Sequence, residues 1–417
     1  MSFQQGLSGL NAASVGLDVT GNNIANANTV GFKISRAEFA DVYANSLVGA
    51  SSNAIGLGVQ VAAIATQLTQ GNVVITNNPF DLAINGAGFF RMSDNGAITY
   101  TRNGQFRLDK DGFMVDSAGR QLTGFSADAS GNIVPSSPVA IQLVASDLPA
   151  HSTDKSAIVA NLDSRSVQPV AAAFDPLNAN SFNSATALTV FDTLGNPHVL
   201  SLYFVKTANP GQWTLHATAD GTNESRVTLS SSNMQFDEFG ALTAPAAPIT
   251  VSIDLDQVET DLGTVNSAAS PLVFTLDFQG TTQFGSPFGV NTITQDGYTS
   301  GRLSGVFIGA DGTVQGRYTN GQTRDLAQVV LANFVNGQGL KPLGGNQYAE
   351  TPDSGPPLVG APNTGSLGTL QSSANEASNV DLTAELVNLI TLQRVYQANA
   401  QTIKTQDQVL QTLVNLR

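Results

Sequence analysis

The sequence predicts a multidomain protein: α-helical, coiled-coil termini packed together, and between them two mainly-β domains, the second inserted into the first. Three observations predict it. The chain has 417 residues, enough for about three domains at ~150 residues each. Heptad-spaced apolar residues mark only the two ends. The middle is interrupted every seven to twelve residues by Asp- or Asn-containing turns that end in glycine, as at 94–96, 102–104, 109–112, 116–119 and 128–131, which is the rhythm of a β-meander.

The first helix is expected within residues 1–28. Phe3, Leu7, Leu10, Leu17 and Ile24 follow spacings of three, four and seven, one stripe of a helix. Among residues 1–32 the only side chain that ionises near neutral pH is Asp18. Gly6, Gly9, Gly16 and Gly21 lower helix propensity and also let a second helix approach closely. Burying five large apolar side chains stabilises far less than ordering the segment's backbone costs, so this helix is expected to be ordered only against partners. The run Asn22-Asn23-Ile24-Ala25-Asn26-Ala27-Asn28-Thr29 reads as a polar helix end, because Asn tolerates left-handed backbone and both donates and accepts hydrogen bonds.

Residues 29–77 read as a connector of short apolar pieces among Asn, Gly and Ser, with no obvious strand near 45–60. Residues 78–147 and 285–359 read as the first β-domain, since the turn rhythm of Asp94–Asn132 returns at Gly309-Ala310-Asp311-Gly312 and Thr319-Asn320-Gly321. Residues 148–284 have longer expected strands, at 187–192, 199–206 and 213–219, with turns at Leu194-Gly195-Asn196-Pro197 and Asn209-Pro210-Gly211; they form the inserted domain. Residues 360–375 are a second connector. The last helix is expected within 376–417, where Leu382, Leu386, Leu389, Tyr396, Ile403, Leu410 and Val414 keep a heptad register with Gln393, Ala400 and Asp407 as weak positions. Asn379 or Ser378 is the expected cap, with Asp381 near the positive end of the helix dipole.

Composition narrows the function. Eighteen basic against 32 acidic residues leave a net charge of −14, which disfavours binding to nucleic acid or to anionic lipid surfaces. No apolar run approaches the ~20 residues of a bilayer span, and no basic–apolar leader precedes Lys33, so membrane insertion and a cleaved secretory signal are not expected. Charged residues are 12 % of the chain, about half the usual quarter. The polar surface therefore rests on Asn, Gln, Ser, Thr and Gly. Cysteine is absent, which removes disulfides, thiolate metal sites and a Cys nucleophile.

No catalytic constellation, cofactor motif or metal-ligand spacing is visible. His151, His198 and His216 read as isolated surface or strand-packing residues. Asp109-Lys110-Asp111-Gly112 opens like a calcium loop but lacks the later ligands and the closing Glu, so a turn is the better reading. Phe89, Phe90, Tyr100, Phe106, Phe113 and Phe125 fit β-core packing better than a sugar-stacking face.

Gly16–Lys33, with Asn22, Asn23, Ile24, Asn26, Asn28, Thr29, Gly31, Phe32 and Lys33, closely resembles the N-terminal signature of bacterial flagellar rod and hook axial proteins. Asn379–Leu416, with Val380-Asp381-Leu382, Glu385-Leu386, Leu389-Ile390, Gln393-Arg394 and Tyr396-Gln397-Ala398-Asn399, is similar to their terminal helix. Gly86-Ala87-Gly88-Phe89-Phe90 and Phe284-Gly285 extend the likeness along the chain. The stretch Leu188–His198 resembles the insert of the hook-type members, which the shorter distal-rod members lack. Filament-junction proteins share heptad ends but not the Asn-rich signature.

The resemblance implies a non-enzymatic subunit without cofactors that polymerises with itself into the curved hook, a universal joint between motor and filament whose inner tube is part of the export channel. It implies self-assembly contacts through Phe3, Leu7, Leu10, Leu17, Ile24, Leu382, Leu386, Leu389, Tyr396, Ile403, Leu410 and Val414. The implied partners are the distal rod, hook cap, hook–filament junction protein, hook-length control protein and flagellar type III export apparatus, with an extracellular location reached without a cleavable signal. The alternatives are an elongated distal-rod protein and, from another class, a secreted carbohydrate-binding adhesin, which accounts for the polar β-centre but not for the paired heptads.

Overall fold

A computed structural model describes residues 2–42, 56–128, 130–144, 147–171 and 173–415. Among these the chain is mostly β, with three α-helices: α1 (Ser2–Ala25), α2 (Leu255–Leu262) and α3 (Leu382–Asn415). It divides into two compact units. The first comprises Met1–Ala145, Gly305–Arg317 and Thr323–Arg417; the second comprises Ser146–Ser304 and Tyr318–Gln322.

The first unit is built on a thirteen-stranded sheet. Strand Phe89–Asp94 pairs with Ala97–Thr101 through Asn95-Gly96, both at positive φ (49° and 95°), as a two-residue hairpin turn of the mirror-image type demands. Strand Gln121–Ser126 pairs with Phe89–Asp94 and also with Thr323–Val329, far away in sequence. Phe90, Met92, Leu122, Val314 and Val329 fill one cluster of its core, while Phe89, Tyr100, Phe334 and Tyr348 form another. Phe106 is also buried, and Phe113 and Phe125 are half-buried.

The connectors expected at 29–77 and 360–375 are largely paired strands. Ser35–Val42 and Gly58–Thr66 form an antiparallel two-stranded sheet with a register shift between Glu38 and Phe39. Val73–Ile75 pairs with Ala374–Glu376, and Leu82–Asn85 with Thr369–Ser372. These pairings join the two ends of the chain. Periodicity conceals them because the first hairpin is half-exposed on both faces and lacks a clean apolar alternation. Of the strandless stretch near 45–60, residues 45–55 lie outside the described residues, and strand Gly58–Thr66 occupies its end. The last helix runs Leu382–Asn415, within the expected 376–417, and residues 374–376 before it are used in strand pairing. Its cap is Asp381, whose carboxylate accepts the Thr383 and Ala384 N–H groups at 2.9 and 3.2 Å, rather than Asn379 or Ser378.

The second unit has a six-stranded and a five-stranded sheet sharing one hydrophobic core around Trp213, Leu202, Phe204, Ile158 and Leu276. Lys155–Asp163, Pro197–Lys206 and Gln212–Ala219 alternate buried with more exposed residues, the period of a strand with one buried face. The expected boundary at 284 is too early: after Phe284 the strand Gly289–Gln295 returns antiparallel to Lys155–Asp163 and completes the sheet. Both units repeat one turn. In each of Asp109, Asp116, Asp128, Asp192 and Asp237 the carboxylate accepts the N–H groups two and four residues on, and the glycine three residues on sits at positive φ. The Asp109 loop thus turns its carboxylate onto its own backbone.

Candidate assembly interface

α1 and α3 lie antiparallel, in layers seven residues apart. Gly9 faces Asn399 and Gly16 faces Leu392; a Cβ on either glycine would meet the opposing side chain at 2.8 and 3.1 Å. In the next layer the Asn23 amide donates to Glu385 Oε2 at 3.2 Å. Gly6 opposite Ile403 gives a fourth contact, at 3.2 Å from an added Cβ. The face of α1 turned to α3 is therefore the small-residue one, Gly6, Gly9, Ala13, Gly16, Thr20 and Asn23, several of them buried, and glycine there permits the close approach.

The apolar stripe expected from periodicity is a different one. Phe3 (47 % exposed) and Leu7 are open, and Leu10, Leu17 and Ile24 are half-buried. On α3, Leu382, Leu386, Tyr396 and Leu410 (55 %) are exposed, while Leu389 and Ile403 are half-buried; the Val414 side chain lies outside the described residues. Val387, Ile390 and Val395 add to the exposed apolar surface of α3. Sequence reasoning missed Glu385, Leu392 and Asn399 as inner-face residues; their signal was a second line at the same seven-residue spacing as Gly9, Gly16 and Asn23.

The Asn-rich signature forms a collar where the helices meet the β-structure. Asn26 donates its amide to both the Asn22 carbonyl and the Asn22 side chain at 2.9 Å, and Thr29 Oγ1 donates to Asn26 Oδ1. Buried Asn23 clasps Ser35, accepting its N–H at 3.0 Å and donating to its carbonyl at 2.8 Å. Asn28 is exposed, and Ile24 and Phe32 are half-buried. None of these asparagines has a positive φ; the left-handed position expected of them belongs to Gly31 (φ 71°), where a Cβ would lie 2.6 Å from the Asn103 nitrogen. The sequence-predicted cap Asn379 instead links segments: it accepts the Ile34 N–H and donates to Gln67 and Thr69.

Lys33 is fully buried. It donates to the Thr69 carbonyl at 2.7 Å and to the carboxylate of Glu376. Burial pulls its pKa down, against the opposing pull of Glu376. Arg102, also buried, donates to the Gly86 carbonyl at 2.7 Å and lies 3.5 Å from Glu376 Oε2. Glu376 and Arg102 carry no local sequence signal.

The histidines are not isolated. In the second unit His198 Nδ1 is 2.7 Å from Asp220 and Nε2 is 3.6 Å from Asp192; His216 pairs with Glu224 at 2.6 Å; His151 stacks on Tyr298. Each partner is acidic or aromatic, so these are packing and ion-pair positions. Among the described residues no cluster of His, Cys, Asp and Glu is arranged to hold a metal ion, and no helix is long and apolar enough to cross a membrane.

Four family models match the chain. Residues 3–33 match the flagella basal body rod protein, 83–167 the flagellar hook protein FlgE/F/G D1 domain, 161–298 the flagellar basal body protein FlaE D2 domain, and 371–416 the flagellar basal body rod FlgEFG protein C-terminal region. The flagellar hook proteins FlgE of Escherichia coli K12 and Salmonella typhimurium LT2 are each 43 % identical over 100 % of both chains. That of Borreliella burgdorferi is 33 % identical over 100 % of this chain and 99 % of its own. The crystal structure of Helicobacter pylori flagellar hook protein FlgE2 shares the fold, with a TM-score of 0.51 at 15 % identity over 73 % of this chain and 100 % of that one.

Proposed function

This chain belongs to the flagellar hook protein FlgE family, a family of structural proteins rather than enzymes, and on that premise we propose that it assembles with its own copies into the curved, tubular hook that passes torque from motor to filament. The observation that carries this reading is the exposed apolar surface of the paired terminal helices, Phe3 and Leu7 on α1 and Leu382, Leu386 and Leu410 on α3. A single chain leaves it in water, and burial against identical helices stabilises by about 1.5–3 kcal/mol per large side chain. In the polymer the helices form coiled-coil contacts between subunits around a polar channel, and the β-units form the outer layers.

Twisting stiffness comes from the tightly packed helices. Bending requires the outer units of neighbouring copies to slide as each row of subunits shortens and lengthens during rotation. A surface rich in Ser, Thr and Asn and poor in charge suits this, because neutral hydrogen bonds exchange through water at low net cost. The subunit leaves the cell through the flagellar type III export apparatus and meets the distal rod, hook cap, hook-length control protein and hook–filament junction protein. Electron microscopy of a strain lacking the gene tests the reading: rods without hooks, restored by the full-length gene, are expected. Normal hooks in that strain would overturn it. The matches to rod-protein models at both ends support a second reading as a distal-rod subunit, for which purified polymers would be straight and stiff instead of curved.

A further inference from the structure

Both ends of the chain converge on one carboxylate. Glu376, fully buried, receives Lys33 Nζ and the Gly71 N–H (2.9 Å) on Oε1, and its Oε2 lies 3.5 Å from Arg102 Nε. Its own carbonyl accepts the Gly31 N–H at 2.8 Å, and in the strand pair Val73–Ile75 with Ala374–Glu376 it stands opposite Val73. One residue, six before α3 begins, thereby touches the loop that follows α1, the strand pair that joins the two ends and Arg102 of the first β-unit. The cluster is unbalanced: two buried cations, Lys33 and Arg102, share this one anion.

We propose that Glu376 is the positioning residue that fixes how both terminal helices leave the β-structure, and that it does so through its charge rather than its shape. The proposal rests on the hook-subunit reading for its consequence, since helices leaving at the wrong angle cannot meet those of neighbouring copies. A glutamine at 376 keeps the size and an acceptor oxygen but leaves two buried cations without an anion, and breaking a buried pair by removing one partner is far more damaging than never having had it. A methionine at 33 removes one cation and leaves a balanced Glu376–Arg102 pair.

The test compares full-length Glu376→Gln, Lys33→Met and the double variant by critical concentration for polymerisation and by amide hydrogen exchange in the monomer. Glu376→Gln is expected to raise the critical concentration by at least about tenfold and to accelerate exchange at Gly31 and Gly71. Lys33→Met should stay within about threefold of the parent and the double variant should fall between, with thermal unfolding of the Ser146–Ser304 unit unchanged in all three. Glu376→Gln polymerising like the parent, or Lys33→Met doing equal damage, overturns the proposal. If Glu376→Gln does not fold, the double variant must still polymerise less well than Lys33→Met, and equality overturns it. A parent chain that forms no polymer refutes the hook reading instead, and the exchange rates at Gly31 and Gly71 then decide the positioning role alone.

Discussion

His198 shows how much a single side chain of the second unit depends on residues a linear reading cannot pair with it. Its ring sits between Asp220 and Asp192, 9 % exposed. The hydrogen bond with Asp220 raises its pKa, and this outweighs the burial that works to lower it. Burial works to raise both carboxyls, but hydrogen bonds from Asn196, Asn266 and backbone N–H groups hold Asp192 below the usual carboxylate range, and those from His198 and the Val199 N–H do the same for Asp220. A base whose folded pKa lies above its unfolded one, about 6.5, stabilises fully below that pH and loses its contribution as pH rises through the folded value. The second unit should therefore become less stable on going from about pH 6.5 upward, and His198→Gln should flatten that decline in urea melts; an unchanged slope in the variant would count against the ion pair. Local devices such as the Asp-to-Gly turns could be anticipated because their partners lie within five residues. Asn23 with Glu385 and Lys33 with Glu376 are 362 and 343 residues apart, and nothing in either neighbourhood announces the other.

At the scale of elements, periodicity served the long helices best. The heptads of α3 place its helix to within a few residues, because a stripe repeated over 34 residues outweighs any local irregularity. Which stripe faces inward was not legible: the intramolecular seam is marked by glycines and by Leu392, Asn399 and Glu385, small or polar residues that a search for apolar positions passes over. The hairpin of Ser35–Val42 and Gly58–Thr66 was missed for a related reason, since strands without a fully buried face need no alternation. Two substitutions separate the roles of these elements. Ile403 lies against Gly6, and Ile403→Asp places a charge in the α1–α3 seam at a cost of about 1–3 kcal/mol; Leu389→Asp places one at another half-buried position of the same helix. Each variant should abolish hook assembly while circular dichroism of the purified chain retains the β-signal and its cooperative melt. Hooks of normal number and length from either would contradict an assembly role for these helices.

For the molecule as a whole, buried apolar side chains are unevenly distributed. The large hydrophobic clusters draw all their members from between Leu68 and Leu370, whereas α1 buries mainly alanine and glycine, and much of α3 stays exposed. A helix gains most of its stability in a protein from packing an apolar face, and here the apolar faces of both helices point to solvent in the single chain. The strand pair Val73–Ile75 with Ala374–Glu376 ties the two ends together, with the buried Glu376 cluster beside it. From this distribution, dilute monomer treated with a nonspecific protease should be trimmed to a resistant core that begins near residue 30, just before buried Lys33, and ends near residue 377, and the terminal helices should exchange their amide protons fastest. Assembled polymer should be protected at the same ends, because neighbouring copies then cover Phe3, Leu7, Leu386 and Leu410. If the ends of the dilute monomer resisted cleavage as long as the core, the helix pair would be stable by itself, and the dependence of its order on other copies would be wrong.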